Sequence, residues 1–204
     1  MRVTEVPAVP GVLLLTPELL LDEGGFSGLT FDADVARAAG VDPRTFVLDS
    51  VARSARGVVR GLHVRAGSSG ATLMRCSYGE VFAVVVDLRP AAASYGRWES
   101  FALRADAGTS LYVPAGCARG FQTMTEPSDV SYRTDRAHDP SEEVTVAFDD
   151  PALGIPWPLP VTAMAHSDRD AAPLDAAREF LALRTSLARR RSRRDDEPDP
   201  RVAR

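Results

Sequence analysis

No lysine occurs anywhere in the sequence, so all 24 positively charged side chains other than histidine are arginines. Schiff-base catalysis and stabilisation of an oxyanion by a lysine ammonium are therefore excluded. Cysteine is nearly absent too. Cys76 and Cys117 form no C-x-x-C pair and no metal-ligand spacing, and they read as reduced core thiols on two separate strands. Long apolar runs are missing: the segment from Arg2 to Pro10 is mixed, without the pattern of a signal peptide or a membrane helix. A cytoplasmic location with no membrane partner is expected. The net charge of −4 gives no global case for nucleic-acid binding. What remains is an ordinary globular composition, 45% hydrophobic and 25% charged over 204 residues, enough for one domain with a full core.

From Val12 to about Ala147, short apolar runs are punctuated by Gly, Pro, Asp and Ser. Leu13–Thr16, Val58–His63, Ala71–Cys76, Val81–Leu88, Trp98–Leu103, Ser110–Val113, Gly120–Met124 and Asp129–Thr134 are predicted strands. Their spacing points to an all-β sandwich or barrel. Val81–Leu88 is the strongest of them, because a continuous apolar stretch fits a strand buried on both faces. Asp32–Ala39 reads as a short helix, with an aspartate at its start and Gly40 just past its end. After Pro158 the pattern changes. Leu174, Ala177, Phe180, Leu181 and Leu187 recur at helical spacing and predict a C-terminal helix lying on the β-domain. The domain is thus expected to span residues 1–188, with 189–204 a charged, disordered tail. Its basic run Arg189–Arg194 has no interleaved aromatics and is followed at once by acidic residues, so no nucleic-acid partner is expected.

The inventory of chemistry is small. Only His63, His138 and His166 are imidazoles, and His63 is followed by Val64 and Arg65, so no H-x-H pair exists. Three or four converging metal ligands are hard to assemble from this set, and no metal is expected. His63 closes the segment Gly57–His63, which also carries Arg60. Residues three apart on a regular strand face opposite ways, so the two can share a site only if the chain bends or bulges between them, and Gly61 is the place for it. By itself, a single histidine after apolar residues reads equally as a structural core residue.

Several segments together resemble the dTDP-4-dehydrorhamnose 3,5-epimerase family. Val58–His63 is similar to its G-V-L-R-G-L-H-x-Q, Gly79–Arg89 to its G-E-V-F-D-V-x-V-D-L-R, and Tyr95–Trp98 to its F-G-x-W. Val113–Gly116 is similar to I-P-x-G, Asp149–Pro158 to D-D-P-x-L-x-I-x-W-P, and Ser167–Asp170 to S-x-K-D. The matches run in order from about Val12 to Asp170. The resemblance implies a cupin-like jelly roll, all-β with a C-terminal helix, and a homodimer in which an N-terminal segment is lent to the neighbouring site. It implies an isomerase that needs no cofactor, since a C4 ketone in a nucleotide-linked 6-deoxyhexose itself acidifies the adjacent carbons. A base removes an α-proton and an acid returns one from the opposite face. Histidine suits the first role because its pKa lies near working pH.

Carried over position by position, the resemblance makes His63 the base, Asp170 the carboxylate that orients it, and Tyr132 the acid on the far face. Arg60 is the residue expected to clamp the diphosphate. Phe26, Ser50, Thr72, Arg119 and His138 fall at or beside the other substrate-contacting positions. Six of the family's residues are replaced. The enolate-stabilising lysine is Thr72, and a second histidine is Arg119. The arginine of D-x-R-G is Gly24, Leu48 and Ser50 replace Gln and Asn of Q-D-N, and Leu29 stands for a Glu. Three functions stay open on these grounds. They are a dTDP-sugar epimerase of a natural-product pathway, the same scaffold reassigned to isomerise or cyclise a non-nucleotide metabolite, and a non-catalytic small-molecule binder.

Overall fold

A computed structural model of the protein describes residues 1–66, 70–135 and 142–195. The first strands are β1 (Arg2–Glu5), β2 (Leu13–Thr16), β3 (Leu20–Asp22) and β4 (Gly25–Ser27), followed by helix α1 (Ala33–Ala38). Then come β5 (Leu48–Ser54), β6 (Val59–Arg65), β7 (Thr72–Tyr78), β8 (Glu80–Asp87) and β9 (Trp98–Arg104). The chain continues through β10 (Ser110–Val113), β11 (Cys117–Thr123), β12 (Ser128–Thr134) and β13 (Glu143–Thr145) to α2 (His166–Arg169) and α3 (Leu174–Asp195). A six-stranded sheet has the order β1-β2-β10-β7-β12-β5, and a five-stranded sheet has the order β13-β6-β11-β8-β9. All strand pairings within both sheets are antiparallel. The result is a jelly roll.

Alternation along the strands divides the apolar residues into three layers. Between the sheets lie Met74, Cys76, Val81, Ala83, Val85, Leu111, Cys117, Phe121 and Val130. The opposite faces of β6, β8 and β11 send Leu62, Val64, Val84, Val86 and Ala118 outward, where Leu174, Ala177 and Leu181 of α3 cover them. On the other side, Leu13, Leu15 and Leu73 pack under Ala36 and Val41. β8 is buried on both faces because helix and sheet cover it, as its apolar run predicts. Cys76 and Cys117 are free thiols, and burial pushes them up to about 11 and about 12 respectively.

Three differences from the sequence reading have physical causes. Phe180 does not join the helix face that packs on the sheet and is 40% exposed, because Leu174, Ala177 and Leu181 already fill that stripe. The last helix continues to Asp195 rather than stopping near residue 188, and residues 196–204 lie outside the described residues. Edge strand β5 and the β3–β4 hairpin lack an alternating apolar pattern because most of their residues face solvent. α1 forms as its sequence suggests, with Asp32 Oδ1 accepting from Asp34 N and Val35 N at 2.9 and 3.1 Å. No helix among the described residues is long and apolar enough to cross a membrane.

Candidate active site

Gly61 makes the site possible. In the pairing of β6 with β11, Arg119 lies opposite His63 and Phe121 opposite Arg60, so three steps on β6 match two on β11. This bulge turns Arg60 and His63 to the same side. Gly61 adopts φ +122°, and a Cβ there would stand 2.6 Å from Gly120 Cα and 2.8 Å from Arg119 O. Only a residue without a side chain allows the two strands to approach so closely.

The inward faces of both sheets enclose a cavity of about 330 Å³. Leu48, Ser50 and Ala52 of β5, Met74 of β7, and Tyr132 and Thr134 of β12 line it from one sheet. Arg60, His63 and Arg65 of β6, with Arg119, Gly120 and Phe121 of β11, line it from the other. Among the described residues, no carboxylate lines it, whereas three arginines do, so the cavity favours an anionic guest. Arg60 donates through Nε to Ser54 Oγ at 2.8 Å, which leaves its terminal nitrogens for a ligand.

His63 is held from behind. Its Nε2 lies 2.8 Å from Asp168 Oδ1, and Asp168 Oδ2 accepts from Gly61 N at 3.0 Å. The segment before α2 carries Asp168 there. Gln122, fully buried, exchanges two hydrogen bonds with the backbone of Leu159 at 2.8 and 2.9 Å, and Val59 N donates to Ala163 O at 3.1 Å. Burial works against ionisation of Asp168. The hydrogen bonds from His63, Gly61 and Ser167, together with the imidazole charge, outweigh it and hold its carboxyl below the usual aspartate range. With an anion at Nε2, that nitrogen carries the proton and Nδ1 keeps its lone pair. Glu143 Oε1 stands 3.8 Å from Nδ1, too far for a hydrogen bond.

The resemblance places the carboxylate partner of His63 at Asp170; in the structure that partner is Asp168. α2 is a single short turn, and it points Asp168 inward while Asp170 follows at its C-terminal cap, 79% exposed and 3.9 Å from His166 Nδ1. Thr72 is buried on the inward face of β7 but does not line the cavity; Met74, one step along that face, does. Phe26 sits on the exposed β3–β4 hairpin, away from the cavity of its own chain. His138 lies outside the described residues. Arg65, Met74 and Asp168 escape the sequence reading. Arg65 had a usable signal, since two residues after His63 it shares that residue's face of the strand.

Across the cavity, Tyr132 faces the β6–β11 pair, and the guanidinium of Arg119 lies 5.9 Å from its ring centroid. Burial raises the phenol pKa, and Arg119 and Arg60 offset only part of that. Tyr132 is therefore a neutral hydroxyl at physiological pH, suited to donate a proton. His63 and Tyr132 line the cavity from opposite sheets, so a flat guest between them would meet one on each face. Among the described residues, no three His, Cys, Asp or Glu side chains converge as metal ligands.

Such an arrangement, a histidine–carboxylate pair and an opposed phenol in an arginine-lined jelly-roll cavity, is that of a sugar isomerase of the cupin-like class. The family model for dTDP-4-dehydrorhamnose 3,5-epimerase matches residues 7–176, and the chain belongs to that family. It is 35% identical over 173 residues to the dTDP-4-dehydrorhamnose 3,5-epimerase of Salmonella typhimurium, covering 82% of this chain and 92% of that one. Among solved structures it is similar to NovW, a 4-keto-6-deoxy sugar epimerase from the novobiocin biosynthetic gene cluster of Streptomyces spheroides. The TM-score is 0.84 at 32% identity, over 92% of this chain and 94% of that one. The Legionella pneumophila epimerase in complex with dTDP-4-keto-L-rhamnose superposes with a TM-score of 0.82 at 29% identity, over 88% and 96% of the two chains.

Proposed function

We propose that this protein epimerises a dTDP-linked 4-keto-6-deoxyhexose in natural-product deoxysugar biosynthesis, with His63 as base, Asp168 as its positioning residue and Tyr132 as acid. The observation that carries the reading is the opposition of His63 and Tyr132 across one cavity, with His63 fixed on Asp168 at 2.8 Å. The C–H bond beside the ketone breaks and its proton passes to His63 Nδ1. The electron pair moves through the new carbon–carbon double bond onto the ketone oxygen. Tyr132 then protonates the same carbon from the other sheet, which inverts it, and solvent restores both groups. Arg60 suits the diphosphate, because its free guanidinium nitrogens match paired phosphate oxygens. The named substrates of the Salmonella, Streptomyces and Legionella relatives support the choice of a dTDP-sugar.

The test is incubation with dTDP-4-keto-6-deoxyglucose in heavy water. Deuterium is expected to enter at a carbon flanking the ketone, read by NMR. A wild-type protein that binds dTDP but incorporates no deuterium overturns catalysis and leaves a binder. A protein with no affinity for dTDP points instead to a substrate without the nucleotide.

Homodimerisation is part of the same proposal. Leu20, Leu21, Phe26 and Leu29 are 66%, 81%, 48% and 68% exposed, and Val47 and Val51 on the β5 side are exposed as well. So much bare apolar surface beside an unpaired strand edge favours a partner. A second copy would cover it and carry Phe26 toward the neighbouring cavity. Light scattering at micromolar concentration should give the dimer mass, and a monomer mass excludes this. The proposed compartment is the cytoplasm, where buried unpaired thiols such as Cys76 and Cys117 persist.

A further inference from the structure

We infer that Arg119 is the catalytic residue that receives the negative charge of the enolate, by donating from its guanidinium to the ketone oxygen as the α-proton leaves. The inference rests on the epimerase reading above and names a residue that this reading does not require. A base and an oxyanion holder must stand side by side, since the acidic carbon and the ketone oxygen are separated by only two bonds. Arg119 and His63 are directly opposed in the β6–β11 pairing. Residues so placed have Cβ atoms roughly 5 Å apart.

The other cations fit less well. Arg60 is tethered to Ser54 and lies at the far end of the bulge. Arg65, buried at the end of β6, sits opposite Glu143. The chain has no lysine, and the hydroxyl of Thr72 carries no charge and does not line the cavity. The Arg119 side chain, by contrast, makes no hydrogen bond or ion pair among the described residues; the ring it lies over is that of Tyr132, at 5.9 Å. Burial disfavours its charge, Tyr132 and Glu143 favour it, and Arg65 adds repulsion. An enolate oxygen would supply the missing anion. The same guanidinium, lying over the Tyr132 ring, would then bring oxyanion and proton donor together, so that charge taken up in the first step returns to carbon in the second. No oxidant or co-reactant enters.

Two variants test this, with dTDP affinity measured by calorimetry as the check that fold and nucleotide site survive. Arg119→Gln should lower kcat for deuterium exchange into dTDP-4-keto-6-deoxyglucose by about 10²–10³-fold, the usual effect of removing one oxyanion donor. The dissociation constant for dTDP should stay within about threefold of wild type, since the loss falls on the transition state. Arg119→Lys, which keeps the charge, should retain kcat within about tenfold. The inference is overturned if Arg119→Gln keeps wild-type kcat, if the two variants lose equally, or if the loss appears in KM and dTDP affinity instead. That last result would make Arg119 a phosphate ligand. A wild-type protein inactive in exchange removes the epimerase reading itself, whereas an active wild type with an active Arg119→Gln removes only this assignment.

Discussion

Replacing His63 with Asn is expected to lower the rate of deuterium exchange by about 10²–10⁴-fold, the range for loss of a positioned general base. Asparagine can still hydrogen-bond Asp168, so β6 and α2 keep their contact, but it has no lone pair basic enough to take a carbon-bound proton. Affinity for dTDP should change little, because Arg60 and the other lining residues are untouched. Catalysis and binding therefore separate in one variant, and an exchange rate within tenfold of wild type would refute His63 as base. The expectation differs from that of a structural buried histidine. In that case the main loss would be in unfolding free energy, and the residual activity would follow the folded fraction.

Gly61→Ala should have the largest effect on stability, about 2–6 kcal/mol. The sum combines an overpacking cost of roughly 1–3 kcal/mol with a backbone strain of similar size. The added methyl group meets Gly120 Cα at 2.6 Å and Arg119 O at 2.8 Å. Both are backbone atoms, with no flexible side chain to yield. Relief requires β6 and β11 to separate at the point where Arg60, His63 and Arg119 are set, so exchange activity should fall more than the unfolded fraction explains. Gly40→Ala is the control. Gly40 also has positive φ, +81°, but nothing lies within 4 Å of a Cβ there, so only the strain of roughly 1 kcal/mol applies. Denaturant midpoints for the two variants measure the difference. A loss at Gly61 no greater than at Gly40 would show that close strand approach is not what holds the bulge.

Much of this is legible in the sequence. The predicted strands at Leu13–Thr16 and Ser110–Val113 coincide with β2 and β10, because each is a run of apolar residues bounded by turn residues. β8 was clearest, since burial on both faces leaves an unbroken apolar stretch. The requirement that Arg60 and His63 share a site only through a bend at Gly61 followed from strand geometry, and the register shift opposite Arg119–Phe121 is that bend. β5 was not legible. Its sequence Leu48–Ser54 carries no apolar alternation, because its outward face meets solvent and its inward face borders the open side of the cavity.

The carboxylate partner of His63 marks the division most sharply. Asp168 and Asp170 lie two residues apart in one short polar segment, and both are aspartates, so motif spacing does not tell them apart. Their environments do. Asp168 is almost wholly buried, with two anchoring contacts on β6, while Asp170 is exposed at the end of a single helical turn. That turn points as it does because Gln122, deep in β11, grips Leu159 and β6 bonds Ala163. Local chemistry in the sequence determined the strands, the capped helix and the glycine bend, each of which depends on near neighbours. The tertiary structure alone decided which aspartate contacts His63, and that Arg119 lies opposite it with no side-chain hydrogen bond among the described residues. Both depend on contacts between segments far apart in the chain, whose relative positions no local pattern encodes.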